Sequence, residues 1–183
     1  MKVIAGKARG MNLVTPRGRH TRPTTGRIKE TLFNIIQADV PESCFLDLYS
    51  GSGSIAIEAL SRGAREAVLV DNNKEAVMCI RENLKKTGFS DMAYVMQLEA
   101  MQALKKLNDN RKIFDIIFID PPYGKSFEKE AINFLSDSSL IKKDTLIIVE
   151  TLINEDISYI ENFSYTLEKV KEYKTNKHIF LRI

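Results

Sequence analysis

Apolar residues in this chain fall into short continuous runs, separated by stretches in which they recur every third or fourth position. Runs at 44–49, 66–71, 92–98, 114–120 and 144–150 predict strands buried on both faces. Between them, 54–62, 73–87, 99–108 and 127–136 carry helical periodicity. In the first of these helices Ile55, Ala56, Ala59 and Leu60 share a face, and in the second Ala76, Ile80 and Leu84 do, with Gly88 placed to end it. Strand and helix in alternation predict a mostly parallel sheet with helices on both faces. The tail breaks the alternation. Residues 163–172 and 176–183 predict two strands joined by a turn at Lys174-Thr-Asn176, an antiparallel C-terminal hairpin that closes a seven-stranded sheet.

The N-terminal part has another pattern. Short apolar stretches at 2–4 and 12–14 flank Gly6-Lys-Ala-Arg-Gly10 and predict a small β-hairpin. Residues 15–25 are polar, with Pro and Gly breaking any helix. Thr24 or Thr25 is placed to cap a following helix, with Ile28, Leu32, Ile35 and Ile36 on one face and Arg27, Glu30 and Asn34 on the other. Pro41 closes that element. The expected division is a basic extension at 1–40 and a main α/β domain at 41–183, without internal repeats or low-complexity tracts.

Charge sharpens this division. Residues 1–30 hold eight Lys and Arg (Lys2, Lys7, Arg9, Arg17, Arg19, Arg22, Arg27 and Lys29) against Glu30 alone, a net +7, which leaves −4 for the rest of a chain whose net charge is +3. A basic arm on a mildly acidic body suggests contact with a polyanion. At 44% hydrophobic residues, the 183-residue chain can build one proper core. Cys44 and Cys79 predict buried thiols in a reducing compartment. With His20 and His178 they form no metal-ligand spacing, so no metal site is expected. No apolar signal core and no run of about 18 apolar residues occurs, and the expected location is the cytoplasm.

Candidate chemistry lies at three strand ends, where open α/β sheets bind ligands. The first is Phe45-Leu-Asp-Leu-Tyr-Ser-Gly-Ser-Gly-Ser54, a strand, a glycine turn and a helix start whose unpaired N–H groups make a nucleotide cradle. The second is Asp71, placed 18 positions after Gly53 to accept hydrogen bonds from ribose hydroxyls; its simpler role as a helix cap is compatible with that. Asn72 beside it is placed to flank an adenine ring. Gly51-x-Gly53-x-x-Ala56 followed by an acid also fits a nicotinamide-dinucleotide turn, so these two sites leave the cofactor open.

The third strand end is Phe114-Asp-Ile-Ile-Phe-Ile-Asp-Pro-Pro-Tyr123. Consecutive prolines fix a rigid extended loop without an N–H at either position. Carbonyls and the Asp120 carboxylate then face the crevice as acceptors, and Tyr123 offers a flat ring. Acceptors for two N–H groups beside a stacking surface suit a planar base that carries an amino group.

Leu46-Asp-Leu-Tyr-Ser-Gly-Ser-Gly53 and Asp120-Pro-Pro-Tyr123 resemble the cofactor and catalytic motifs of amino-directed, S-adenosylmethionine-dependent methyltransferases. Over essentially its full length the chain is similar to the RsmD family, the 16S rRNA (guanine-N2)-methyltransferases. Val3-Ile-Ala-Gly-Lys-Ala-Arg-Gly10 and Arg22-Pro-Thr-Thr25, followed by Arg27 to Asn34, resemble that family's N-terminal signature. The catalytic tetrapeptide is shared with DNA adenine methyltransferases, so it speaks for chemistry; the N-terminal signature points to rRNA.

The resemblance implies a Rossmann-like class I fold with S-adenosyl-L-methionine as cofactor. Asp47, Gly51 and Gly53 would cradle its methionine end, Asp71 would hold its ribose and Glu99 would lie near its adenine; Tyr49, Ser50, Asn72 and Ala100 would also bind the cofactor, with Thr24 and Thr25 folding over it. At 99 the family more often has Asp, and at 26 glycine replaces a common acid, which removes a favourable charge from a helix start. Asp120, Pro121, Pro122 and Tyr123 would be catalytic, and Lys7, Arg9, Arg17, Arg19 and Arg22 would contact RNA. The implied activity is methyl transfer to the exocyclic N2 of a guanine in 16S rRNA, in the assembling 30S subunit, by a monomer. The competing readings are a DNA or other amino-methyltransferase, a nicotinamide-dependent oxidoreductase, and a cofactor-free RNA-binding module.

Overall fold

The computed structural model describes residues 1–16 and 26–183. Thr24, Thr25, Arg17, Arg19, Arg22 and His20, singled out above, lie outside these residues. The elements follow in the order α1 (Gly26–Ile35), β1 (Cys44–Asp47), α2 (Ser54–Ser61), β2 (Glu66–Val70), α3 (Lys74–Thr87), β3 (Ala93–Met96), α4 (Ala100–Asp109), β4 (Ile116–Ile119), α5 (Phe127–Ser136), β5 (Leu146–Leu152), β6 (Thr166–Glu172) and β7 (Asn176–Arg182). The seven strands lie in the order β3-β2-β1-β4-β5-β7-β6. β1 to β5 are parallel, while β7 runs antiparallel to both β5 and β6.

This order fixes where a ligand can sit. From β1 the chain winds outward through β2 to β3, then crosses back to place β4 on the other side of β1. The connections leave β1 and β4 in opposite directions, and a crevice opens beyond their carboxyl ends. One apolar layer under the sheet comes from α2, α3, α1 and the N-terminal residues Val3, Ala8 and Leu13; the other comes from α4 and α5. Helices therefore cover both faces, and β1, β2 and β4 are buried almost throughout. Among the described residues no helix is long and apolar enough to cross a membrane.

The structure corrects the expected elements at several points. The N-terminal hairpin is reduced to a single antiparallel bridge, Lys2 to Asn12, supported by Val3 N–H to Met11 O at 3.0 Å and Gly10 N–H to Val3 O at 2.9 Å. The last long loop contains a 3-10 turn at Ser158–Asn162, so β6 begins at Thr166 rather than 163. Cys79 is half-buried, not buried like Cys44. The buried face of α1 is rotated from the expected stripe: Lys29, Leu32, Phe33 and Ile36 are buried, and Ile28 and Ile35 only half so.

The cause of that rotation is Glu58, which sits fully buried in the otherwise apolar α2. Its oxygens accept the N–H groups of Ile4 at 2.8 Å and Ala5 at 2.9 Å and pair with Lys29 Nζ at 3.0 Å and Arg62 Nε at 2.8 Å. Burial pushes the Glu58 carboxyl up, but the Ile4 amide, Lys29 and Arg62 outweigh it and hold it below the usual range. Ser61 adds a second staple, accepting from Ala8 N–H at 3.0 Å and donating to the Ala5 carbonyl. The backbones approach so closely that a Cβ on Gly6 would meet the Ser61 carbonyl oxygen at 1.7 Å, at a left-handed φ of +79°.

Candidate active site

The glycine turn after β1 is held by its own residues. Ser50 Oγ donates to Asp47 O at 2.7 Å and accepts from Val70 N–H at 3.0 Å, while Gly53 N–H closes on Ser50 O at 2.7 Å. Gly51 and Gly53 both have positive φ, 55° and 76°. A Cβ on Gly53 would press on Leu69 at 3.0 Å, whereas one on Gly51 would meet nothing within 4 Å. Gly51 thus faces open crevice where backbone can approach a ligand. Asp47 lies beneath, almost fully buried, with Oδ2 accepting Ala56 N–H at 3.3 Å. Burial, with Asp71 adding to it, raises its carboxyl to about 7 against the opposing pull of the Ala56 amide.

At the end of β2 the Asp71 carboxylate ties two loops together. Oδ2 accepts Gly51 N–H at 2.9 Å and Oδ1 accepts Asn73 N–H at 2.8 Å. The cap of α3 is Asn73, whose Oδ1 accepts from Glu75 and Ala76, so the capping role weighed for Asp71 belongs to its neighbour. Asn72 Nδ2 donates to Glu99 Oε1 at 2.6 Å, bringing the ends of β2 and β3 together as one rim. Ala100 begins α4 at that rim. Tyr49 is half-buried, its hydroxyl pushed up by burial and by Glu130, Glu128 and Glu99.

Asp120 follows β4 directly, beside the end of β1; Phe118, two residues earlier, pairs in register with Asp47. Asp120 is half-buried, and burial together with Glu150 and Asp47 holds its carboxyl well above the usual range. Pro121 is buried and Pro122 exposed, while the Tyr123 ring remains 39% exposed over the crevice edge. One sheet edge therefore gathers Asp47, Tyr49, Ser50, Gly51, Gly53, Asp71, Asn72, Glu99, Ala100, Asp120, Pro121, Pro122 and Tyr123.

Lys7 and Arg9 are not in that group. Both are exposed, but Lys7 N–H bonds to Ser61 O at 2.8 Å, at the far end of α2 from the glycine turn. Eight helical residues separate the two ends, roughly 12 Å at 1.5 Å per residue. The hairpin runs back along α2, and Val14 arrives near the turn. There Asn83 accepts Val14 N–H at 2.7 Å and donates to both Val14 O and Ser52 O at 2.9 Å.

Sequence reasoning passed over Asn83, and also Glu150, Asn176 and His178. Asn83 gives a local signal, a polar residue next to the apolar stripe of α3. The other three depend on the pairing of β5 with β7.

Comparison with known proteins places the chain in a family. Residues 1–182 match the family described as "Conserved hypothetical protein 95". The chain is 34% identical over 170 residues to the ribosomal RNA small subunit methyltransferase D of Haemophilus influenzae, covering 92% of this chain and 88% of that one. It superposes on a hypothetical protein of Thermus thermophilus with a TM-score of 0.86 and 28% identity, over 100% of this chain and 99% of the other. A more distant likeness shares the fold alone: an RNA methyltransferase from Salinibacter ruber, solved with S-adenosyl-L-homocysteine, with a TM-score of 0.68 and 17% identity over 88% and 93% of the two chains. The family match over nearly the whole length, with a relative one-third identical over most of both chains, places the protein: it belongs to the family of the ribosomal RNA small subunit methyltransferases D.

Proposed function

We propose that this protein transfers a methyl group from S-adenosyl-L-methionine to the exocyclic N2 of a guanine in 16S rRNA, with the assembling 30S subunit as substrate. The observation that carries the reading is the position of Asp120-Pro-Pro-Tyr123, at the end of β4 beside the glycine turn of β1. The name of the Haemophilus influenzae relative supports rRNA as the substrate class. A monomer acting in the cytoplasm, with residues 1–40 as the extension that contacts RNA and covers the cofactor and 41–183 as the methyltransferase domain, completes the proposal. Lys7 and Arg9 would then meet phosphates away from the reacting base, alongside Arg17, Arg19 and Arg22.

The residues present fit the cofactor. Gly51 leaves room at the crevice, the Asp71 carboxylate can accept ribose hydroxyls as well as backbone amides, and Asn72 with Glu99 frames a place for adenine. When bound, the cofactor supplies an electrophilic methyl on a sulfonium centre. The protein's task lies with the acceptor. A guanine N2 lone pair is delocalised into its ring and is a poor nucleophile. Hydrogen bonds from the N–H groups to Asp120 and the Pro121 carbonyl favour a more pyramidal nitrogen, with its lone pair directed at the methyl. Those donors also favour the ionised form of Asp120, opposing its raised value in the ligand-free crevice. On accepting the methyl group the nitrogen would become acidic, and Asp120 is placed to take its proton. Positioning and electrostatics supply most of the rate. The base must leave any stack, which costs a few kcal/mol and favours an unpaired nucleotide.

The test is incubation with labelled cofactor and 30S particles from a strain lacking the enzyme, with the product mapped by mass spectrometry. One guanine labelled at N2 is expected. Labelling of adenine, a preference for DNA in competition with 30S, or an Asp120→Ala variant that labels normally would overturn the reading.

A further inference from the structure

The geometry points to Glu150 as a positioning residue: anchored from behind by Asn176 and His178, it holds the Tyr123 hydroxyl and sets the angle of the ring that would cover the acceptor base. This deepens the function proposed above and rests on it for the identity of the base.

Glu150 lies on β5 and is 5% exposed. Its Oε1 accepts the Tyr123 hydroxyl at 3.1 Å and Asn176 Nδ2 at 2.6 Å, and its Oε2 lies 2.8 Å from His178 Nε2. Glu150 and His178 are direct partners in the β5–β7 register, and Asn176, two residues before His178, shares its face of the strand. His178 is fully buried. Its Nδ1 lies 3.1 Å from the Tyr173 hydroxyl, and its ring meets Phe118 edge to face at 5.9 Å and Phe180 at 6.3 Å. Phe118 is on β4, two residues before Asp120. The support of Tyr123 therefore runs through three strands and returns to the strand that carries the acceptor loop.

A carboxylate here needs an explanation. Burying an ion costs several kcal/mol of hydration, and an apolar side chain of similar size is often at least as stable. The neighbouring Asp120 makes the position costlier still. Burial pushes Glu150 up, but the hydrogen bond and charge of His178, with Tyr123 and Asn176, hold it below the usual range. Tyr123, for its part, sits on an exposed loop beyond two prolines, and the bond from its hydroxyl to Glu150 ties the ring to β5. Only about 20 Å³ of cavity lies between Pro121, Tyr123 and Glu150, room for one water and not for a ring swinging inward.

The test combines kinetics on 30S, cofactor affinity by calorimetry, and hydrogen exchange of the loop amides at 123–126. Glu150→Ala should lower kcat by roughly 10- to 100-fold, as a misplaced contact does, and leave cofactor affinity within about twofold. Glu150→Gln keeps an acceptor for the hydroxyl and should stay within about threefold of wild type. Tyr123→Phe should speed exchange at 123–126, and adding Glu150→Ala to it should cost less than about twofold more, because both changes break the same Tyr123–Glu150 bond. Losses that multiply, a Glu150→Gln variant as slow as Glu150→Ala, or exchange unaltered by Tyr123→Phe would each overturn the proposal. If Glu150→Ala fails to fold, exchange in Tyr123→Phe still decides. A wild type that leaves rRNA unlabelled but shows the exchange coupling sinks the rRNA reading and not this one.

Discussion

The two sides of the crevice are built over different distances along the chain. On the side proposed to hold the cofactor, Asp47 to Gly53 and Asp71 to Asn73 bond mostly to one another, with no more than 20 residues separating Ser50 from Val70 or Gly51 from Asp71. Strand, turn and helix start specify each other there. On the side proposed to take the acceptor base, Tyr123 is bonded to Glu150, which is held by residues 26 and 28 positions further on. A local motif assembles whenever its own βα unit forms. The acceptor loop is complete only when the antiparallel β7 has paired with β5. The cofactor side should therefore fail locally, through affinity, and the acceptor side at the reaction step.

The largest expected effect tests that separation directly. Asp120→Ala should lower kcat by about 10³-fold, the scale of losing a preorganised electrostatic contact, while calorimetry finds cofactor affinity within a few-fold of wild type. A parallel collapse of affinity would merge the two sides into one. Next, Asp71→Ala should weaken cofactor binding by roughly 10- to 100-fold, since it removes charge-assisted hydrogen bonds, and leave kcat at saturating cofactor nearly unchanged. Smaller again, Gly53→Ala should cost about 1–2 kcal/mol of stability, because a side chain at φ 76° is strained and its Cβ meets Leu69. Urea unfolding would measure it, and an unaltered midpoint would contradict the turn geometry.

A separate effect concerns pH. The folded value of Asp47, about 7, lies above the ordinary unfolded value of about 3.9. Its contribution to stability is intact below the lower value and is lost as pH rises through the higher one. The ligand-free protein should thus lose some stability between about pH 4 and pH 7, and Asp47→Asn should flatten that slope. Parallel stability curves for the two proteins would show that Asp47 ionises without penalty.

What could be read from the sequence follows the same division. Asp47, Gly51, Gly53 and Asp71 are legible because a glycine turn after an apolar run, with an acid at the next strand end, is written in consecutive residues. Asp120 and Tyr123 are legible because two prolines punctuate a buried strand. Glu150 and His178 are not: one ends an apolar run and the other precedes one, and only the β5–β7 register reveals that they face one another. Lys29 is hidden because its burial depends on Glu58, 29 residues away on another helix. Charge marks Lys7 and Arg9 as part of a basic arm but does not say where the arm lies; Glu58 and Ser61 decide which way the hairpin runs along α2.

Glu58 also determines whether this enzyme can be made smaller. Deleting the first 30 residues would strip the carboxylate of two amides and an ammonium at once and open the apolar surface of α2 and α3 to water. The shortened chain would keep the crevice residues from Asp47 to Tyr123 and lose the lining that lets their floor exist. What looks along the chain like a detachable handle is, in three dimensions, part of the wall.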